Sequence, residues 1–337
     1  MMGSADRQIR DRRESRSGLL HGFAVLTAWC TFGLIFIGGL VTSTGSGLAV
    51  PDWPLAFGQV FPKLAGGALF EHVHRLAAAA VGLLTVILTV WICMRDSRKW
   101  VRVLALSGLG AVIFQGLLGG ATVVLQLPTA VSVSHALLAQ VFFCVMVTLA
   151  IVTNPGWRTR SPEESAKGSA TGEGGGDPGL QRLCVATAAV IFIQLLLGAL
   201  MRHTHAGLAI PDFPLAFGGL VPPLGDPRVV IHFLHRLGAA AVAGFVIWTA
   251  TRVIRRRPEE SKLLWPACSL LALLAFQIIL GALTIWTRKA VIPTTAHVAV
   301  GAGILAVTVI LTLRLRARRE TRDAPSAHRW VAESVPV

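Results

Sequence analysis

Two short runs concentrate the reactive side chains of this chain, 71-EHVHRL-76 and 232-HFLHRL-237. Each opens an apolar stretch of about twenty residues, where ionisable groups are costly and point to function by default. Two further histidines, in 133-VSHALL-138 and 295-TAHVAV-300, open later apolar stretches. A lone histidine in such a setting is by default a helix contact. Four of them (His74, His135, His235 and His297), paired by position and recurring twice, favour ligation. Two imidazoles meeting across an apolar space make a bis-histidine seat for haem iron. Zinc fits less well, because no third histidine at matching depth and no thiolate completes a tetrahedron. Arg75 and Arg236 follow the first histidine of each pair, where a guanidinium can meet a haem propionate or anchor the helix at the interface. Glu71 lies three residues before His74 and shares its helix face, whereas the matching residue of the second run is His232. That carboxylate can move protons or stabilise developing charge. It can also simply face the helix N-terminal dipole, an effect of about 0.3–1 kcal/mol.

The elements that must position these groups are membrane helices. Of 337 residues, 53% are hydrophobic and only 14% charged, and the mean hydropathy is +0.65, too little charge for a soluble surface at this length. Apolar runs near 19–43, 71–94, 101–125, 129–153, 181–201, 229–253, 262–287 and 291–314 are each long enough to span as helices. The net charge of +14 does not mark a nucleic-acid binder, because most basic residues fall on one side of this weave. Arg7–Arg16, Arg95–Arg102, Arg158–Arg182, Arg252–Lys262 and Arg314–Arg329 bound the clusters on that side. Lys63, Arg75, Arg202, Arg228, Arg236, Arg288 and Lys289 fall on the other. The positive-inside rule then predicts that both termini are cytoplasmic. The first run is too long for a signal-peptide core and reads as a retained anchor. Asp6, Asp11 and Glu14 argue against a mitochondrial presequence. All five cysteines fall within or at the ends of helices and read as small packing residues.

The chain is duplicated. The stretch 47-GLAVPDWPLAFGQVFP-62 matches 207-GLAIPDFPLAFGGLVPP-223, HRLAAAAVG at 74–82 matches HRLGAAAVAG at 235–244, and FQGLLGGAT at 114–122 matches FQIILGALT at 276–284. Each copy carries four spans, so both enter the membrane in the same orientation as parallel repeats. The expected architecture is all-α and integral to the membrane, with eight transmembrane helices in two tandem four-helix bundles. The expected limits are a cytoplasmic tail at 1–18, bundles at 19–153 and 181–314, a Gly/Ser/Glu-rich cytoplasmic linker at 154–180 and a cytoplasmic tail at 315–337. Gly38, Gly39, Gly119, Gly120, Gly198 and Gly281 read as close-approach points between helices. Asp52 and Asp212 read as turn formers in the two outer loops. His203 and His205 lie beside the second outer loop, where an interfacial or propionate-contacting role is open. His21, His72 and His328 receive no role.

Glu71-x-x-His74-Arg75, His135, His235-Arg236, His297, the GLA-x-P-x-[WF]-P-L loops and the duplication together resemble the heme A synthase family over about residues 20–315. The resemblance implies a resident haem b in the C-terminal bundle, with His235 and His297 as axial ligands of its iron. It implies that the N-terminal bundle receives haem O between His74 and His135, with Glu71 as the required acid. The implied reaction oxidises a methyl group of haem O to formyl through successive hydroxylations, giving haem A for terminal oxidases. The implied location is a bacterial inner membrane, and the implied partners include haem O synthase, oxidase assembly factors and an electron donor. Some family members carry a cysteine pair in the outer loops; here those loops hold none, which excludes an outer-loop disulfide from the mechanism. The competing readings are a non-catalytic di-haem b-type electron carrier and a haem transporter. The transporter is least favoured, because all four candidate ligands cluster near the outer surface.

Overall fold

A computed structural model describes residues 4–60, 62–63, 65–158 and 177–322. Most of the expected linker (159–176), the end of the C-terminal tail with His328 (323–337) and residues 1–3 lie outside the described residues. Among the described residues, eight helices are long and apolar enough to cross a membrane. They are α1 (Ser4–Ser43), α2 (Gly67–Arg95), α3 (Lys99–Val124), α4 (Thr129–Val152), α5 (Pro178–His203), α6 (Pro227–Arg256), α7 (Ser261–Trp286) and α8 (Val291–Arg322). Their most apolar stretches have mean hydropathies of 1.7 to 2.5. In hydrocarbon such sequences must satisfy every backbone group internally, and a helix does so without a partner. This is a multi-pass membrane fold. The expected spans match closely, but α1 extends back to Ser4 and α8 forward to Arg322. Arginine is a good helix former, so the backbone ladder continues past the point where hydropathy ends.

Local signals fix the helix ends. Asp177 caps α5 by accepting from Leu180 N–H, and Asp226 caps α6 by accepting from Arg228 N–H. A proline follows each cap at the position where its missing N–H is harmless. At the linker end, buried Asp96 takes 3.0 and 2.7 Å bonds from Arg98, which also reaches the carbonyl of Val152 at 2.8 Å. His21 joins α1 to the end of α4 there, with its ring nitrogens 2.9 Å from Ala150 O and 3.1 Å from Asn154 Nδ2.

Each set of four helices closes into a ring. α1 packs on α2, α2 on α3, α3 on α4 and α4 on α1; α5 to α8 repeat the order. α2 and α4 are therefore diagonal, as are α6 and α8. The rings meet where α1 and α4 contact α8, and α4 contacts α5. Leu88, Ile92, Val101, Met146 and Leu149 form one core, joined by Ala302 of α8. Val246, Leu263, Leu270, Leu305 and Leu311 form the other. Lipid tails are as apolar as these side chains, so close packing and interhelical hydrogen bonds hold the cores together.

Candidate functional site: four imidazole seats and two latched loops

The four histidines that sequence and repeat single out all lie on even-numbered helices, near the end that carries the long loops. Each is six to eight residues past the start of its helix, or about 9–12 Å along the axis. His74 and His135 belong to the diagonal pair α2 and α4, and His235 and His297 to α6 and α8. The His235 and His297 rings face each other across the second ring of helices, with centroids 6.4 Å apart and planes inclined at 63°. Two imidazoles sharing one metal ion at about 2 Å per bond stand roughly 6 Å apart by centroid. Among the described residues, no three His, Cys, Asp or Glu side chains converge into a larger ligand set.

A glycine of the preceding helix seats each imidazole. A Cβ on Gly38 of α1 would stand 3.0 Å from His74 Cε1. A Cβ on Gly119 of α3, Gly198 of α5 or Gly281 of α7 would stand 3.2 Å from the Cε1 of His135, His235 and His297 respectively. Four of the glycines that the sequence offered as helix contacts are thus cradles for the histidine rings. His74 Nδ1, His135 Nδ1 and His297 Nδ1 are buried without a protein partner among the described residues. Orphaned ring nitrogens in glycine-lined seats, with one pair at metal-sharing distance, fit a bound iron porphyrin.

Above the seats, the loops at 44–66 and 204–226 fold alike. Asp52 accepts from Phe57 N–H at 2.7 Å and Gly58 N–H at 2.8 Å; Asp212 accepts from Phe217 and Gly218 N–H, both at 2.8 Å. Both carboxyls are held below the usual carboxylate range, chiefly by the Gly58 and Gly218 amides. These bonds stabilise Phe57 and Phe217 at φ of 53° and 55°, a left-handed conformation that a bulky residue seldom adopts alone. The turn-forming role expected of both aspartates is what the loops contain. The Trp53–Pro54 and Phe213–Pro214 peptides are both cis. Trp53 packs directly on Gly120, the residue after the His135 seat.

Arg75 and Arg236 bind these loops. Arg75 donates to the carbonyls of Asp52, Leu55 and Val50 at 2.6, 2.8 and 3.0 Å. Arg236 donates to Leu215, Asp212 and Ile210 at 2.7, 2.6 and 3.3 Å, with its guanidinium over the Phe213 ring. These contacts tie each arginine to the loop of its own copy. Glu71 is 3% exposed. One of its oxygens accepts from Val50 N–H at 2.9 Å and the other from Arg75 at 2.5 Å. In the second copy His232 Nδ1 accepts from Ile210 N–H at 3.2 Å. The same loop amide therefore binds an acid in one bundle and an imidazole in the other. Beside Glu71, His72 is buried with both ring nitrogens unpartnered among the described residues, where the second copy has Phe233. His203 ends α5, and its carbonyl accepts from Thr129 Oγ1 of α4 at 3.4 Å; His205 is exposed and left-handed.

Sequence reasoning missed Gln115, Gln194 and Gln277. Gln115 and Gln194 donate to the carbonyls of His135 and His235 at 3.0 and 2.8 Å, and Gln277 Nε2 lies 3.4 Å from His297 Nε2. The signal was present as a recurring Gln-x-x-x-Gly, with its glycine the seat itself.

A family model for cytochrome oxidase assembly protein, COX15-CtaA, matches residues 63–309. Among similar curated proteins, a heme A synthase from Symbiobacterium thermophilum is 34% identical over 73% of this chain and 79% of its own length. One from Halalkalibacterium halodurans is 28% identical over 72% and 79%, and one from Sphingopyxis alaskensis 28% identical over 90% and 94%.

Proposed function

Because the chain belongs to the COX15-CtaA family of cytochrome oxidase assembly proteins, we propose that it works as a heme A synthase that oxidises a methyl group of haem O to formyl. The observation that carries this reading is one seat in duplicate with an acid beside only one copy. Four imidazoles rest on four glycines, and Glu71 has no carboxylate counterpart in the second bundle. In this reading residues 19–153 receive haem O, with its iron held by His74 and His135. Residues 181–314 hold a resident haem b through His235 and His297. A haem bound there supplies one-electron redox chemistry at membrane depth.

The protein's own contribution is to grip, orient and manage protons. The apolar walls and the diagonal imidazoles fix the porphyrin plane. The loop latched by Arg75 and Asp52 covers the end of the N-terminal bundle and keeps bulk water from it. Methyl oxidation moves protons as well as electrons, and the Glu71 carboxylate, one turn from His74, is the group placed to exchange them at Oε1 or Oε2. Arg75 orients that carboxylate from the same helix. Both termini are cytoplasmic in this reading, which turns the latched loops toward the outer face of a bacterial inner membrane. The electron donor, haem O supply and oxidase assembly partners meet the protein there or laterally in the membrane.

The shared latch, Val50 N–H to Glu71 and Ile210 N–H to His232, favours a second reading in which both bundles are equivalent b-type electron carriers. Co-expression with a haem O supply, followed by extraction and mass measurement of the haems, separates the two. Synthase activity yields haem A from the wild type and none from Glu71→Ala, with the resident haem spectrum intact in both. Two unmodified haems from the wild type reject the proposal in favour of the carrier.

A further inference from the structure

The four seats differ in one respect. Aligned on the seating glycine, the helices read 114-FQGLLG-119, 193-IQLLLG-198, 276-FQIILG-281 and, in α1, 33-GLIFIG-38. Three carry glutamine one turn before the glycine, on the same helix face. The fourth carries Leu34. The Gln194 amide lies 3.1 Å from His235 Nδ1 while donating to that residue's carbonyl, so it touches both ring and backbone of one histidine. The facing helix makes room for it: a Cβ on Gly238 would collide with the Gln194 carboxamide oxygen. A Cβ on Gly301 would stand 3.3 Å from Gln277 Nε2. In α2 the residue matching Gly238 is Ala77, in HRLA against HRLG. Gln194 with Gly238 and Leu34 with Ala77 are therefore two matched solutions at equivalent places. Among the described residues, no side-chain hydrogen bond reaches His74.

We propose that these glutamines are positioning residues that clamp three of the four imidazoles, and that Leu34 leaves His74 as the one yielding ligand. The idea rests on the assignment of the N-terminal bundle as the substrate site. A resident haem benefits from two clamped ligands, and Gln194 and Gln277 supply both. A substrate must enter and its product must leave. A site with one clamped ligand, His135 beside Gln115, and one free to swing, His74 beside Leu34, permits both. Groups around a metal-bound histidine typically change metal affinity by about 10- to 100-fold when altered, which is enough to separate a retained porphyrin from an exchanging one.

The test uses the full chain in detergent, with apomyoglobin as haem acceptor. Leu34→Gln with Ala77→Gly transplants the second copy's pair into the first. It is expected to slow loss of porphyrin from the N-terminal site by about 10-fold or more and to leave haem A accumulated on the protein. Gln277→Leu is expected to speed loss of haem b from the C-terminal site by a similar factor. It should also change the low-spin EPR signal, which reports the relative orientation of two axial imidazoles and which a purely structural packing role would leave alone. If the double variant fails to fold, Gln115→Leu carries the same comparison, with faster N-terminal loss and an unaltered resident spectrum. Unchanged exchange rates in the folded double variant or in Gln115→Leu, or an unchanged EPR signal in Gln277→Leu, overturn the proposal. The Gln277 arm needs only haem b, so it succeeds or fails whether or not haem O is the substrate.

Discussion

At the scale of single residues, Glu71 does two things at once, and the second copy shows how to separate them. Its carboxylate accepts the Val50 amide, a latch that His232 performs for Ile210 without any charge. It also faces Arg75, yet Arg236 keeps equivalent loop carbonyl bonds with no acid one turn before it in α6. Glu71→Gln should therefore keep an acceptor oxygen for the Val50 amide, and so the docked loop, while removing the proton acceptor. Haem A formation in isolated membranes is expected to fall by about 10²–10⁴-fold, the usual contribution of a positioned acid or base. Near wild-type formation in Glu71→Gln would reduce Glu71 to a latch. The acid's position was legible in the sequence because three residues of helix place it beside His74. Its bond to Val50 was not, because that bond joins residues twenty-one apart through a loop with no periodicity. The same holds for Arg75 and Arg236, whose bonds depend on where a proline-rich loop folds back.

At the scale of elements, the odd-numbered helices supply seats and the even-numbered ones supply imidazoles. A sequence read span by span finds the histidines, but a glycine in a membrane helix signals only that something approaches closely. What approaches is fixed by the ring order of helices. Gly281→Ala puts a methyl 3.2 Å from His297 Cε1, with the facing His235 limiting any retreat of the ring. Loss of haem b absorbance without loss of the folded protein is expected, and full occupancy with an unshifted spectrum would show that the seat has slack. The loops carry a pH dependence of their own. Asp52 and Asp212 are half-buried, and amide donors hold their folded values below the ordinary 3.8. The ionised form is the one the loop stabilises, so its contribution is complete above the unfolded value and lost as pH falls through the folded one. Protection of the Phe57, Gly58, Phe217 and Gly218 amides from hydrogen exchange, corrected for intrinsic rates, should be flat from neutral pH down to about 4 and be lost only below that, as pH falls through the depressed folded values. Asp52→Asn, with one acceptor oxygen for two donors, should loosen the first loop at neutral pH.

At the scale of the whole molecule, the duplication was legible because matched residues repeat at nearly constant spacing, but the joint between the copies is built from a residue that does not repeat. Arg202 occupies the place of Thr42, on the α5 face that carries Gln194 and Gly198. Its guanidinium crosses to α1, donating to Gly39 O at 2.8 Å and Ser43 Oγ at 2.7 Å, and Thr295 of α8 donates to the same hydroxyl at 2.9 Å. Gly39 adjoins the seat of His74, and Thr295 lies two residues before His297. A short polar chain thus links one imidazole of each bundle across a contact whose other side-chain hydrogen bond among the described residues is Thr129 Oγ1 to His203 O. A cation at that depth is retained only where acceptors replace water. Arg202→Met keeps the aliphatic stem and removes those donors. If the polar chain is the joint, chain halves co-expressed as residues 1–165 and 166–337 should associate more weakly in the variant. Interhelical hydrogen bonds in membranes contribute about 0.6–1.7 kcal/mol, so the loss should be roughly 3- to 20-fold, read by co-purification at graded detergent. The resident haem spectrum should survive, because His235 and His297 both lie in the second half. Equal association of the two pairs would assign the joint instead to the apolar contact of α1 and α4 with α8.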